Sequence, residues 1–176
     1  AVILSVVTTK NADFEKALEN ITAQWQGLGV SVTTRIVDPS DQAQNVVQEI
    51  LQPRQFDVLI YQLTIGADPD VYAYWHGSQA AAGFNFSNYK NSVADDALLS
   101  ARNRLEPDLR NAKYITFAKQ WLSDAPAIGL YQSTAQYVHT QNVHTDLDDR
   151  TIISAADRYN RVTTWSVGSR AVFRTP

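Results

Sequence analysis

The chain has 176 residues, no cysteine, no methionine and a formal net charge of −3. That length is enough to bury a core as one domain. The composition excludes a disulfide framework, thiol chemistry and thiolate-bound metal, and the slightly acidic balance gives no reason to expect a nucleic-acid partner.

"AVILSVVTT" is an apolar, β-branched run and reads as a buried strand. In "NADFEKALENITAQWQGLG", Phe14, Leu18, Ile21, Trp25 and Leu28 recur in steps of four and three, which puts them on one helical face. Asn11 is placed to cap that helix and Gly29 to stop it. "VSVTTRIVD" follows with Val30, Val32, Thr34 and Ile36 on one side of a strand. A second helix is expected over "DPSDQAQNVVQEILQP". Asp38 would be its cap, Pro39 its first residue, and Val46, Val47, Ile50 and Leu51 its buried stripe. "FDVLIYQLTI" reads as the third strand. The order βαβαβ with short connections predicts a parallel sheet with packed helices.

Next comes "IGADPDVYAYWHGSQ". Asp68, Pro69 and Asp70 suit a helix start, with Asp68 as the cap. They could also be read with His76 as a metal or acid–base cluster, although His76 is not at a helical spacing from Asp70. The motif follows the third strand, at the carboxyl end of a parallel sheet, where ligands of open α/β sheets bind. Tyr61 to Asp70 are therefore candidate site residues. Tyr72, Tyr74, Trp75, Phe84, Phe86 and Tyr89 form a dense aromatic group, as core or as cleft wall. Asn85, Ser87 and Asn88 are expected at its rim.

"GSQAAAGFNFSNYKN" reads as loop, and "NSVADDALLSARNRL" as a short helix with Ser92 and Asp95 in a capping box. "EPDLRNAKYITFAKQWLSDA" is a stronger helix, started near Pro107, with Tyr114, Phe117, Ala118, Trp121 and Leu122 inward. "PAIGLYQSTAQYVHTQ" reads as a strand bent at Ser133-Thr134. The remainder is polar, with a helical turn expected at "SAADRYN" and a strand-like piece at "TTWSV". His76, His139 and His144 fit no metal-binding pattern, and neither a phosphate loop nor a G-x-S-x-G elbow is present. No catalytic residue, metal or cofactor is assigned. One domain over 1–176 is expected, excised from a longer chain.

Four segments in order resemble the C-terminal part of extracellular solute-binding proteins of the peptide/oligopeptide/nickel family. They are "AQWQGLGVSVTTRIVD", "FDVLIYQLTIGADPDVYAYWHGSQ", "GFNFSNYKNSVADDALLSAR" and "LRNAKYITFAKQWLSDAPAIGLY". The resemblance implies an α/β lobe of the type II periplasmic-binding-protein kind, with a mixed, mostly parallel sheet and helices on both faces. Residues from about 142 to 176 would be a tail returning toward a second lobe. The protein would capture a peptide-like or other small solute between its lobes and deliver it to an ABC permease, without catalysis. Its address would be extracellular or periplasmic, with membrane anchoring through the parent's N-terminus. Ligand contacts would fall at Tyr61, Gln62, Leu63, Thr64, Ile65, Asp68, Trp75 and Asn85. Peptide-binding members of the family often hold the ligand's α-amino group with an aspartate in a Trp-x-x-Asp context. Here those two positions are Gln62 and Ile65, so that contact is missing. The rival reading is a small hydrolase or metal-dependent enzyme using Asp68, Asp70 and His76.

Overall fold

The computed structural model describes residues 2–66, 68–132, 134, 136–145 and 154–168. They fall into two compact units, Ala1–Thr64 with Asp70–Pro126, and Ile65–Pro69 with Ala127–Pro176.

In the first unit, β1 (Ile3–Thr9) lies between β2 (Ser31–Val37) and β3 (Val58–Leu59), parallel to both. The alternation of β1 decides the layers, because successive side chains leave a strand on opposite faces. Val6 packs with Leu18 and Ile60 under α1 (Ala12–Gly27), joined by Phe14, Ile21 and Trp25. Val7 packs on the other face with Val37 and Ile50, beside Val46, Leu51 and Phe56. Helical cover on both faces of a parallel sheet is what the sequence predicts. Asn11 caps α1, its side-chain oxygen accepting from Asp13 N and Phe14 N, and Gly29 follows the helix at φ +83°. β2 forms as read, but its burial does not alternate: of Val30, Val32, Thr34 and Ile36 only Val32 joins the core, Ile36 stays exposed at the sheet edge, and Val37, on the other side, is the buried residue.

The second helix is shorter than expected. Asp38 accepts from both Ser40 N and Ser40 Oγ, and Asp41 accepts from Ala43 N. These local turns use the backbone groups a helix would need. Asn45 is the actual cap, accepting from Val47 N and Gln48 N, and one wide turn, Val47–Leu51, follows. The third strand is also shorter. Thr8, fully buried, donates its hydroxyl to Ile60 O at 3.1 Å, and the ladder ends there. From Tyr61 the chain leaves the sheet.

The rest of this unit is helical. After α2 (Tyr72–Trp75), α3 (Ser92–Arg102) and α4 (Pro107–Asp124) pack as a hairpin. Ala94, Ala97, Leu98, Phe117, Val71 and Tyr89 form the core between them. Asn91, not Ser92, caps α3, and Asp95 instead accepts from Gly77 N at 2.7 Å. A Cβ on Gly77 would stand 2.7 Å from the Asp95 carboxylate, which would have to swing aside for it. Pro107 opens α4 as predicted. Its inward stripe is Tyr114, Phe117 and Trp121, while Ala118 and Leu122 are exposed. Tyr89 Oη donates to Asp124 at 2.7 Å, tying the start of α3 to the end of α4.

In the second unit, the expected strand over "PAIGLYQSTAQYVHTQ" is not formed by its described residues, and Ile128, Leu130, Tyr131 and Val138 are exposed. Position 133 of its expected bend lies outside the described residues. A two-residue antiparallel ribbon joins β4 (Val143–His144) to β5 (Ser166–Val167), so the strand read at "TTWSV" is met only at its end, Thr163 and Thr164 lying in a 3₁₀ helix, Val162–Thr164. The turn read at "SAADRYN" is a short 3₁₀ helix, Asp157–Tyr159. Arg158 lies over the rings of Tyr137 and Tyr159. Of the tail, 146–153 and 169–176 lie outside the described residues.

Candidate functional site

Tyr61 to Thr64 leave the carboxyl end of β3 and run beside a row of rings. Tyr61 meets Phe86 edge-on, with centroids 5.4 Å apart. Phe86 meets Phe84 edge-on at 6.2 Å, and Phe84 lies 6.3 Å from Tyr74. Tyr74 Oη donates to Thr64 O at 3.2 Å, which ties the row to the segment. Tyr61, at one end of the row, is 42% exposed and Phe84, within it, 55%, while Tyr74 at the other end is half-buried.

The loop that carries Phe84 and Phe86 has no regular ladder, so side chains must satisfy its backbone. Arg54, itself at φ +50°, does much of this. Its guanidinium donates to Asn85 O at 3.0 Å, to Gly83 O at 2.7 Å and to Ala80 O, and it lies 5.3 Å from the Phe86 ring centre. Asn85 is fully buried. Its amide donates to His76 O and Tyr89 O, and its oxygen accepts from Tyr89 N and Ser87 Oγ. That exhausts what an asparagine side chain can bond. Next to it, burial and then Asp124 push the Tyr89 hydroxyl pKa upward, while the same hydrogen bond pulls the Asp124 carboxyl pKa down.

Of the candidate ligand contacts, Tyr61, Gln62 and Thr64 are exposed and Leu63 half-buried, in one stretch. Ile65 and Asp68 are exposed and belong to the second unit. Two assignments are corrected. Asn85 is not at a rim, because all its polar atoms are turned into its own loop. Trp75 is part of the helical core, edge-on to Trp121 at 5.1 Å. Arg54 was not anticipated, and its carbonyl partners lie 26 to 31 residues away, so no local signal marks them. Phe84 and Phe86 were visible only as members of an aromatic group.

The acidic motif is also reassigned. Asp68 does not cap a helix starting at Pro69. The helix begins at Tyr72, and Asp70 accepts from Tyr72 N at 3.1 Å. Asp70 also pairs with Arg102 Nε at 2.7 Å, and Arg102 lies over the Tyr72 ring. His76 stacks on the same Tyr72 ring, with centroids 4.0 Å apart, and accepts from Ser78 N. Asp70 and His76 therefore hold structural contacts. Among the described residues, no group of three His, Asp or Glu side chains could hold a metal ion.

No family model matches the chain. It is 26% identical over 141 residues to the oligopeptide-binding protein AppA of Bacillus subtilis, covering 77% of this chain and 25% of that protein. The structure of AppA in complex with a nonapeptide superposes with a TM-score of 0.66 at 22% identity, over 95% of this chain and 32% of that one. Helicobacter pylori DppA in complex with the peptide STSA gives 0.58 at 23% identity, over 72% and 24%. Campylobacter jejuni NikZ in complex with Ni(L-His) gives 0.58 at 19%, over 94% and 33%. The chain thus spans between a quarter and a third of the relatives named here, and it shares their fold. The resemblance read from four ordered segments holds over most of the chain.

Proposed function

We propose that the chain is a solute-binding portion of a larger two-lobed receptor that captures a peptide-like solute and passes it to an ABC permease, outside the cytoplasmic membrane and anchored through the parent's N-terminus. One observation carries the reading: a segment freed from the carboxyl end of a parallel strand, Tyr61–Thr64, stands against a preformed, outward-facing row of rings. That is where open α/β folds receive ligands, and its mixture of apolar wall and backbone groups suits a peptide. Ile65 and Asp68, next in sequence, are proposed as further contacts. The second lobe of the same parent supplies the opposing wall. No bond is broken. The enzyme reading through Asp68, Asp70 and His76 is not favoured, since Asp70 and His76 are engaged in holding α2 and the loop after it.

The test is a thermal-shift screen of the full-length protein against peptides and oligosaccharides. Stabilisation by peptides, lost on Tyr61→Ala, is expected. Turnover of a substrate, abolished by Asp70→Asn or His76→Ala, would replace the binding reading with the enzymatic one.

A further inference from the structure

We infer that the row formed by Tyr61, Phe86, Phe84 and Tyr74 receives one uncharged, aromatic side chain of the peptide, and so selects which peptides bind. This rests on the proposed function and adds a specificity to it. Three observations support the commitment to an uncharged ring. The first is geometry. Tyr61, Phe86 and Phe84 meet edge-on, at 76° and 84°, and Tyr74 is tilted at 53° to Phe84. Such a herringbone is extended by another ring arriving edge-to-face, the arrangement that aromatic quadrupoles favour. Tyr61, at one end of the row, and Phe84, within it, are both substantially exposed and are where it would arrive.

The second is charge. Tyr61–Thr64, Tyr74 and Phe84–Ser87 contain no charged residue. The cation beside the row, Arg54, already donates to three carbonyls and stacks on Phe86. The hydroxyl of Tyr74 is committed to Thr64 O. A glutamate side chain set here would lose hydration without gaining a partner, and a lysine would gain only a ring face in exchange. The third is rigidity. The carbonyls on both sides of Phe84 are held by Arg54, and Asn85 between the two phenylalanines is bonded through every polar atom. A wall already fixed in place loses little freedom on binding.

The experiment measures affinities of the full-length protein for alanine-based peptides, capped at both ends, that carry a single Phe, Leu, Lys or Glu. The expected order is Phe, then Leu, with Lys and Glu weaker than Phe by on the order of tenfold or more, the discrimination an apolar pocket supplies. Phe84→Ala should erase the Phe preference while the Lys peptide keeps its affinity, and Phe84→Leu should restore part of it. Equal affinities across the series, or a preference untouched by Phe84→Ala at unchanged melting temperature, would overturn the inference and leave solute binding standing. If no peptide of any sequence binds, the proposed function fails and this specificity fails with it.

Discussion

Two irregular stretches of this chain have similar composition and opposite fates. The loop 77–89 and the stretch 127–138 are both free of strand pairing among their described residues, and both contain aromatic and apolar side chains. In the first, side chains hold Gly83 O, Asn85 O, Tyr89 N and Tyr89 O, local backbone bonds hold Gly83 N, Asn85 N and Phe86 N, and the rings of Phe84 and Phe86 meet edge-on. In the second, Ile128, Leu130, Tyr131 and Val138 lie exposed. What the first has is two polar side chains, Arg54 and Asn85, that hold backbone groups no hydrogen-bond ladder reaches. An irregular backbone becomes a rigid one when its carbonyls and N–H groups have buried partners.

The sharpest way to break this contrast is at Asn85. Asn85→Ala removes a fully buried amide and leaves Tyr89 N, Tyr89 O and His76 O without their partner. Stranded buried polar groups make this the largest expected loss, about 3 kcal/mol in denaturant unfolding. Asn85→Asp should do nearly as badly, since a carboxylate cannot donate to the two carbonyls. A loss below about 0.5 kcal/mol, the level of an ordinary surface change, would mean that the loop is held by something else.

Arg54→Ala is expected to cost about 2 kcal/mol, because hydrogen bonds from a charged group contribute more than neutral ones. Arg54→Lys should recover less than about half of that, since a point ammonium cannot span three carbonyls as a planar fork does. The same comparison predicts a change in the tyrosine and phenylalanine ring signals in NMR spectra of Arg54→Ala, because Phe86 loses the cation stacked on it.

These two residues also mark where the sequence stops being legible. The sheet and its first helix are readable because their signals are local. Alternation sends Val6 and Val7 to opposite faces, and Asn11 and Gly29 bracket α1. The start of the second helix was misplaced for an equally local reason. Asp38 and Asn45 are both capable caps, and only the turns formed by Asp38 with Ser40 and by Asp41 with Ala43 decide for Asn45. The end of β3 depends on the hydroxyl of Thr8, 52 residues away, and no periodicity announces it. The site divides in the same way. Tyr61–Thr64 followed from their place after the third strand. The roles of Asn85 and Trp75 depend on burial, which their residue types leave open.

A smaller effect is expected at the ion pair of Asp70 with Arg102. Both side chains are partly exposed, so Asp70→Asn should cost no more than about 1 kcal/mol. If it abolished ligand binding instead, Asp70 would belong to the site and not to its support.

The pH response of the first unit sets a further scale. The hydrogen bond from Lys10, and then those from Ser40, hold the Asp38 carboxyl down to about 2 from an ordinary 3.8. A depressed carboxylate contributes stability that is complete above its unfolded pKa and is lost as pH falls through the folded one. The melting temperature should therefore drop between about pH 4 and pH 2, and Lys10→Met should flatten that limb. Lys10, raised by the same partner, contributes in the opposite sense, with its share lost only as pH rises beyond 10.5. Lys10 is exposed and Asp38 partly exposed, so the effect should shrink further in high salt.

The smallest expected effect lies in the second stretch. Val138→Ser removes an apolar side chain that is 87% exposed, so it should change stability by no more than about 0.5 kcal/mol. The informative comparison is between this chain and the full-length protein. If the two-lobed reading holds and the parent covers this stretch, the same substitution should be silent in the isolated chain. In the parent it should cost about 1 kcal/mol or more, as loss of buried apolar area does. Equal silence in both would show that Val138 faces water in the whole protein as well. The contrast between the two stretches would then be a property of the intact molecule and not of where the chain is cut.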